Sequence, residues 1–257
     1  MAPPKMAVLD SLAEEPGSQI EGAYWRLRDD IIAGVLAASE KLRIEFLRQT
    51  YGFGASALRE ALSRLVSDGL VECEAQRGYW VSPITRPELA DITAARKVIE
   101  VEALRQSIGF GPLEWEGRVV AATHSLERVE TSMTEATGDV IMGWEHANRQ
   151  FHMALISGCP SRWLVRFTEL LYDQSQRYRH RTVLRRPIPR RGLSAEHSEI
   201  VAATLARDAE RACAALGRHI DNTARAVDVA IFGDGEAARK PGRASRRKGL
   251  ASNERAP

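Results

Sequence analysis

Gly52-Phe53-Gly54-Ala55-Ser56-Ala57-Leu58-Arg59-Glu60-Ala61-Leu62 opens on a glycine-bearing turn and continues with apolar residues at helical spacing. Leu58, Ala61, Leu62 and Leu65 form one stripe, and Gly69 stops it. Ala55, Ser56, Arg59 and Ser63 are left facing outward. Toward the N terminus, Ile44, Leu47 and Tyr51 make a second stripe. Tyr24, Leu27 and Ile31 make a third, closed by Gly34 where a left-handed cap would end a helix. Toward the C terminus, Leu70-Val71-Glu72-Cys73 and Tyr79-Trp80-Val81 are strand-like. The intervening Glu74 to Gly78 reads as the turn of a hairpin. Helix, helix, turn, helix, hairpin is the order of a winged helix-turn-helix.

In that arrangement the third helix enters the major groove of duplex DNA by its N-terminal end, where free backbone amides also favour phosphate. Arg59 lies in the first turns. Its guanidinium can fork onto guanine or clamp a phosphate, or it can be an ordinary solvated helix residue. Ala55 and Ser56 are small enough for close approach. Gly78 would let the hairpin tip press on the backbone, and Arg77 would enter a narrow minor groove. A plain hairpin turn would want glycine as well.

Residues 20–85 resemble the DNA-binding domain of the GntR family of bacterial transcription regulators, whose turn and helix read approximately G-V-S-R-T-P-V-R-E-A-L. Gly52, Arg59, Glu60, Ala61 and Leu62 match it, as does Arg77-Gly78 at the wing tip. Ala55 departs, standing where the family commonly has a DNA-contacting arginine. The resemblance implies DNA binding through Ala55, Ser56, Arg59, Arg77 and Gly78.

At 257 residues the chain has room for a second core beyond a reader of about 65 residues. Its net charge is only +2, so attraction to DNA must come from a local basic surface. No stretch of about 20 apolar residues would span a membrane and no signal peptide is present, so a cytoplasmic protein is expected. Cys73, Cys159 and Cys213 are widely spaced without a C-x-x-C pair, which points to buried free thiols. Residues 1–18 and the basic stretch 233–257 lack periodicity and are expected to be disordered. The basic tail either adds salt-sensitive attraction to DNA or is merely solvated. The expected division is a winged domain at 19–85 and a helical domain at 86–232.

After Pro83 and Pro87 the pattern is helical throughout, with helices predicted over 87–109, 112–133, 138–157, 160–182, 194–206 and 208–231. The fold class is therefore mainly α, a winged helix-turn-helix followed by an all-α bundle. Asn148 and His152 share a helix face with Trp144 and Leu155, His197 lies with Ile200 and Val201, and His219 lies beside Leu216 and Ile220. Three inward histidines and an amide oxygen would suit a divalent transition metal such as zinc or nickel, although each histidine alone is an ordinary core residue. Arg96 falls within the apolar stripe Leu89, Ile92, Ile99 and Ala103, so it needs an anion: Glu100 or another internal acid, or the carboxylate of a bound metabolite.

Residues 87–230 resemble the FCD effector domain of the FadR subfamily. Its motifs are R-x-x-x-E, D-x-x-F/L-H and two later histidines. Arg96 and Glu100, Phe151-His152, His197 and His219 fill these places. The resemblance implies a metal at Asn148, His152, His197 and His219, with an organic acid completing its coordination near Arg96 and Glu100. Asn148 departs from the usual aspartate, which weakens metal affinity. Residues 148–171 also resemble the carbon-starvation and glutarate-responsive branch, favouring a short dicarboxylate. Together these features read as a homodimeric regulator, a repressor, that binds a palindromic duplex operator under control of a carboxylate effector. The alternatives are a sensor of metal alone and a metal-dependent hydrolase tethered to DNA. For the hydrolase no general base is apparent, because Glu196 and Glu199 fall on other faces of the His197 helix, and a protein that is not an enzyme is expected.

Overall fold

The computed structural model describes residues 16–132, 138–183 and 190–233. The order of elements is α1 (Pro16–Ile32), β1 (Lys41–Leu42), α2 (Ile44–Tyr51), α3 (Ala55–Ser67), β2 (Val71–Glu74), β3 (Gly78–Val81), α4 (Arg86–Phe110), α5 (Leu113–Ser132), α6 (Gly138–Ile156), α7 (Arg162–Val183), α8 (Arg190–Leu205) and α9 (Ala209–Phe232). α1 begins at Pro16, inside the stretch expected to be a disordered arm. Proline suits that position because its missing N–H would have no helical partner in the first turn. The remainder of that arm and the basic tail beyond Gly233 lie outside the described residues.

The three N-terminal stripes meet in one core, in which Leu27, Leu47, Leu58, Leu62 and Leu65 are fully buried. Gly52 caps α2 with φ +76°, and its amide donates to the Arg48 carbonyl, which makes the tight turn into α3. The hairpin is part of a three-stranded antiparallel sheet in the order β1-β3-β2, with Lys41 opposite Trp80 and Glu72 on the other side of the same tryptophan. β1 is two residues long, too short to leave an alternating pattern in the sequence. Gly78 pairs with Glu74 at φ +113°, a conformation that a side chain would strain.

Thr85 caps α4 by accepting from the Glu88 amide, with Pro87 just inside the helix. α4 packs against α7 and α9, α5 against α6, and α8 against α9. The core of this bundle contains Trp115, Phe151, Ile200 and Leu216. Of the cysteines only Cys213 is buried; Cys159 is half-buried and Cys73 is exposed, which corrects the expectation for all three. β2 explains the exposure, because the strand buries only Val71 and turns the rest outward. No helix among the described residues is long and apolar enough to cross a membrane.

Candidate functional site

Two surfaces carry chemistry, and α7 runs between them. The first is the N-terminal end of α3. Gly54 precedes the helix and has no side chain with which to cap it. Ser56 and Arg59 are exposed and Ala55 is half-buried beside them. Arg59 makes no ion pair among the described residues, whereas Glu60 lies 3.6 Å from Arg64 and is occupied. At the wing, Arg77 is exposed but paired with Glu74 at 2.5 Å, so it must exchange a carboxylate for a phosphate to touch DNA. Lys41 of β1 sits 4.8 Å over the Trp80 ring and adds a cation to the wing that the sequence pattern did not single out.

The second surface is internal. His152 on α6, His197 on α8 and His219 on α9 are all buried, and one ring nitrogen from each lies within 4.8 Å of the others. Their ring centroids lie 4.8–6.1 Å apart, with His152 stacked on His219 and edge-on to His197. Neither ring nitrogen of His197 has a hydrogen-bond partner; the Glu130 carboxylate stands 3.5 Å from Nδ1 without bonding it. His219 Nδ1 lies 2.8 Å from Glu196 Oε2, and Asn222 donates to the other oxygen of that carboxylate. A carboxylate on the outer nitrogen fixes the tautomer and aims the inner nitrogen at the cluster, the usual arrangement behind a metal-ligating histidine. Asn148, one turn before His152, donates its amide nitrogen to Tyr172 Oη at 2.7 Å, so only its amide oxygen could serve as a ligand. Orphaned imidazole nitrogens beside an oriented histidine fit a divalent transition metal held by nitrogen ligands.

Burial, reinforced by His219, Arg96, His197 and Arg179, holds His152 well below the ordinary histidine value. Burial likewise pulls His219 down to about 4, although Glu196 works the other way. Neutral imidazoles are the form a metal binds. The same shift sets the acid sensitivity of the fold. As pH falls below about 6.5 the unfolded chain takes up these protons first. His219 alone should therefore cost roughly 3 kcal/mol of stability between pH 6.5 and pH 4. Denaturant melts of chelator-treated protein across that range should show a loss smaller by about this amount in His219→Gln.

Around Tyr172 lies a set of charges. The guanidinium carbons of Arg96, Arg149 and Arg179 stand 5.6, 5.4 and 4.5 Å from its ring centroid. Arg96 binds Glu100 through two nitrogens, at 2.5 and 3.1 Å, and donates to Ser175 Oγ at 2.8 Å. Of the partners left open by the sequence, the structure thus supplies the internal acid. Arg179 donates to the same Ser175 oxygen and pairs with buried Glu145 at 3.2 Å. Arg149, Arg179, Glu145 and Ser175 were not singled out from the sequence. Tyr172, Ser175 and Arg179 do fall at i, i+3 and i+7, one face of α7.

The opposite faces of α7 hold the DNA-reading side. Asp173 accepts from Arg149 of α6 and from Arg28 of α1, the latter at 2.5 Å. Gln174 Nε2 donates at 2.5 Å to the carbonyl of Asp68, the residue that caps the C-terminal end of α3. Arg177 donates to the carbonyl of Ser82 in the connection to α4. Consecutive residues of α7 therefore touch Asn148, Arg28 and the end of the groove-facing helix.

Comparisons with known proteins agree with this geometry. The pattern described as "Bacterial regulatory proteins, gntR family" matches residues 19–81, and that of the FCD domain matches residues 91–222. BphR of Paraburkholderia xenovorans, named an HTH-type transcriptional regulator, is 42% identical over 210 residues, 82% of this chain and 85% of that protein. The HTH-type transcriptional repressor GlaR of Escherichia coli is 34% identical over 220 residues, 84% of this chain and 99% of that one. Among solved structures, Escherichia coli McbR/YncC shares the fold with a TM-score of 0.67 at 18% identity, covering 81% of this chain and 96% of that chain. A Rhodococcus GntR regulator does so with a TM-score of 0.65 at 21% identity, covering 82% and 97%. The chain is a DNA-binding transcription regulator of the gntR family with a C-terminal FCD domain.

Proposed function

We propose that the protein is a cytoplasmic, homodimeric repressor whose affinity for a palindromic operator is set by a short dicarboxylate bound with a divalent metal in the helical domain, residues 86–232. The observation that carries this reading is the meeting of three buried imidazoles from three helices, one with both ring nitrogens unbonded. Charge supports the anion. Arg96 with Glu100 and Arg179 with Glu145 balance each other, and Asn148 adds no charge. A divalent ion would bring two positive charges into a buried site, and a dianion would neutralise them. The relative named as a repressor supports the direction of control. Glu196 is held by His219 and Asn222, which suits a residue that orients a ligand better than a catalytic base, so we read the site as non-enzymatic.

Two half-sites are expected because one recognition helix with one wing buries too little surface for tight specific binding. DNA contact is assigned to Ala55, Ser56, Arg59, Arg77 and Gly78. Arg59→Ala should weaken operator binding by about 1–3 kcal/mol while circular dichroism stays unchanged, since the side chain is exposed and touches no core. Gel shifts on an operator selected in vitro would check it; wild-type affinity would remove Arg59 from the interface. Asn148→Asp should tighten zinc or nickel binding measured by calorimetry, because a carboxylate is a stronger ligand than a neutral amide. Unchanged affinity would place residue 148 outside the coordination sphere.

A further inference from the structure

Between the winged domain and α7 lies a cavity of about 240 Å³, separate from the histidine cluster. Its walls include Ile31 and Ala33 at the end of α1, Val81 of β3 and Ile84 of the connection; Arg177 and Arg181, one turn apart on α7, line its other side. Arg177 is only 2% exposed, yet its hydrogen bonds go to neutral acceptors: the Ser82 and Pro83 carbonyls and Gln174 Oε1. The nearby Glu88 carboxylate accepts instead from Tyr178 Oη. Among the described residues neither Arg177 nor Arg181 forms an ion pair, unlike Arg28, Arg96 and Arg179 on the neighbouring surfaces. A buried guanidinium without an acid is strongly unfavourable, and the like charge of Arg181 adds to that cost. Burial pulls Arg177 below the ordinary arginine value and Arg181 adds to the lowering, while Glu88, which it does not hydrogen-bond, works the other way.

We propose that this seam is a second ligand site, which takes a small carboxylate with a short apolar body. The carboxylate sits between the two guanidiniums, and the apolar body lies against Ile31, Ala33, Val81 and Ile84. The volume is below the roughly 300–1,000 Å³ of sites for drug-sized ligands, so the occupant is small. The geometry requires both parts: the guanidiniums select an anion, and the aliphatic wall disfavours a fully polar one. Because the walls belong to both sides of the seam, an occupant tightens the docking of the winged domain on α7.

Hexanoate is a suitable probe, with hexan-1-ol and acetate as controls. Titration calorimetry on the full-length protein should show one hexanoate per chain and weaker or no binding of both controls. Arg181→Gln should weaken hexanoate about tenfold or more, because a charge-assisted hydrogen bond is lost. Ala33→Leu, which fills the cavity, should do the same. Arg177 is left intact because it also anchors the connection through Ser82. The His197→Ala, His219→Ala double variant should bind hexanoate like the wild type, which separates this site from the histidine cluster. The proposal is overturned if hexanoate does not bind, if hexan-1-ol binds equally well, if both seam variants keep wild-type affinity, or if only the double histidine variant loses it.

Discussion

Replacing His197 and His219 together with alanine is expected to abolish metal binding and effector response while leaving the winged domain able to bind DNA. His197 and His219 supply two of three clustered imidazoles, and both lie on helices α8 and α9, away from the exposed face of α3. Loss of an outer-shell partner alone typically costs about 10–100-fold in metal affinity, so loss of two ligands should exceed that. Calorimetry with zinc or nickel on chelator-treated protein gives the first readout, and gel shifts with a selected operator give the second. Removing His219 also relieves a buried imidazole whose charging opposes folding in acid, and circular dichroism of the apoprotein checks that the variant is folded. If the double variant binds metal as the wild type does, the cluster is ordinary core.

Asp173→Ala should separate the two halves. The Asp173 carboxylate is largely buried and holds Arg28 from α1 and Arg149 from α6 at once. Burial lowers the Arg28 guanidinium, and Asp173, Asp29 and Tyr24 together more than offset it. Removing the shared acid leaves Arg149 without its ion-pair partner and Arg28 with only the exposed Asp29, at a cost of about 3 kcal/mol. A denaturant melt should show that loss. Metal binding should persist, because no histidine of the cluster depends on Asp173, but the effect of metal or acid on DNA affinity should shrink. Intact coupling in this variant would route communication through the Gln174–Asp68 bond or elsewhere.

Much of this could be read from the chain. Each helix of the winged domain shows an apolar stripe and a glycine stop, and Gly34, Gly52 and Gly69 all adopt the left-handed conformation those stops require. The three histidines were legible because each sits on an apolar face that must point inward. α7 was not. Tyr172-Asp173-Gln174-Ser175-Gln176-Arg177-Tyr178-Arg179 reads as a solvated face, yet most of it is buried, because the helix is covered by the bundle on one side and by the winged domain on the other. Periodicity reports the burial of apolar residues, and a helix between two domains meets polar partners instead. Glu196 shows the same limit in another form. Its spacing from His197 argued against a place beside the cluster, yet its partner His219 comes from the next helix, a contact that spacing within one helix cannot reveal.

Linkage between the histidine cluster and α3 is tested most directly by operator affinity with and without ligands. Fluorescence anisotropy on a selected operator would compare chelated, metal-loaded and metal-plus-dicarboxylate protein across succinate, glutarate and related acids. A change in affinity of about fivefold or more, seen only when metal and acid are both present and absent from the double histidine variant, is the expected result. An equal change in that variant, or no change with any acid, would contradict control through this site.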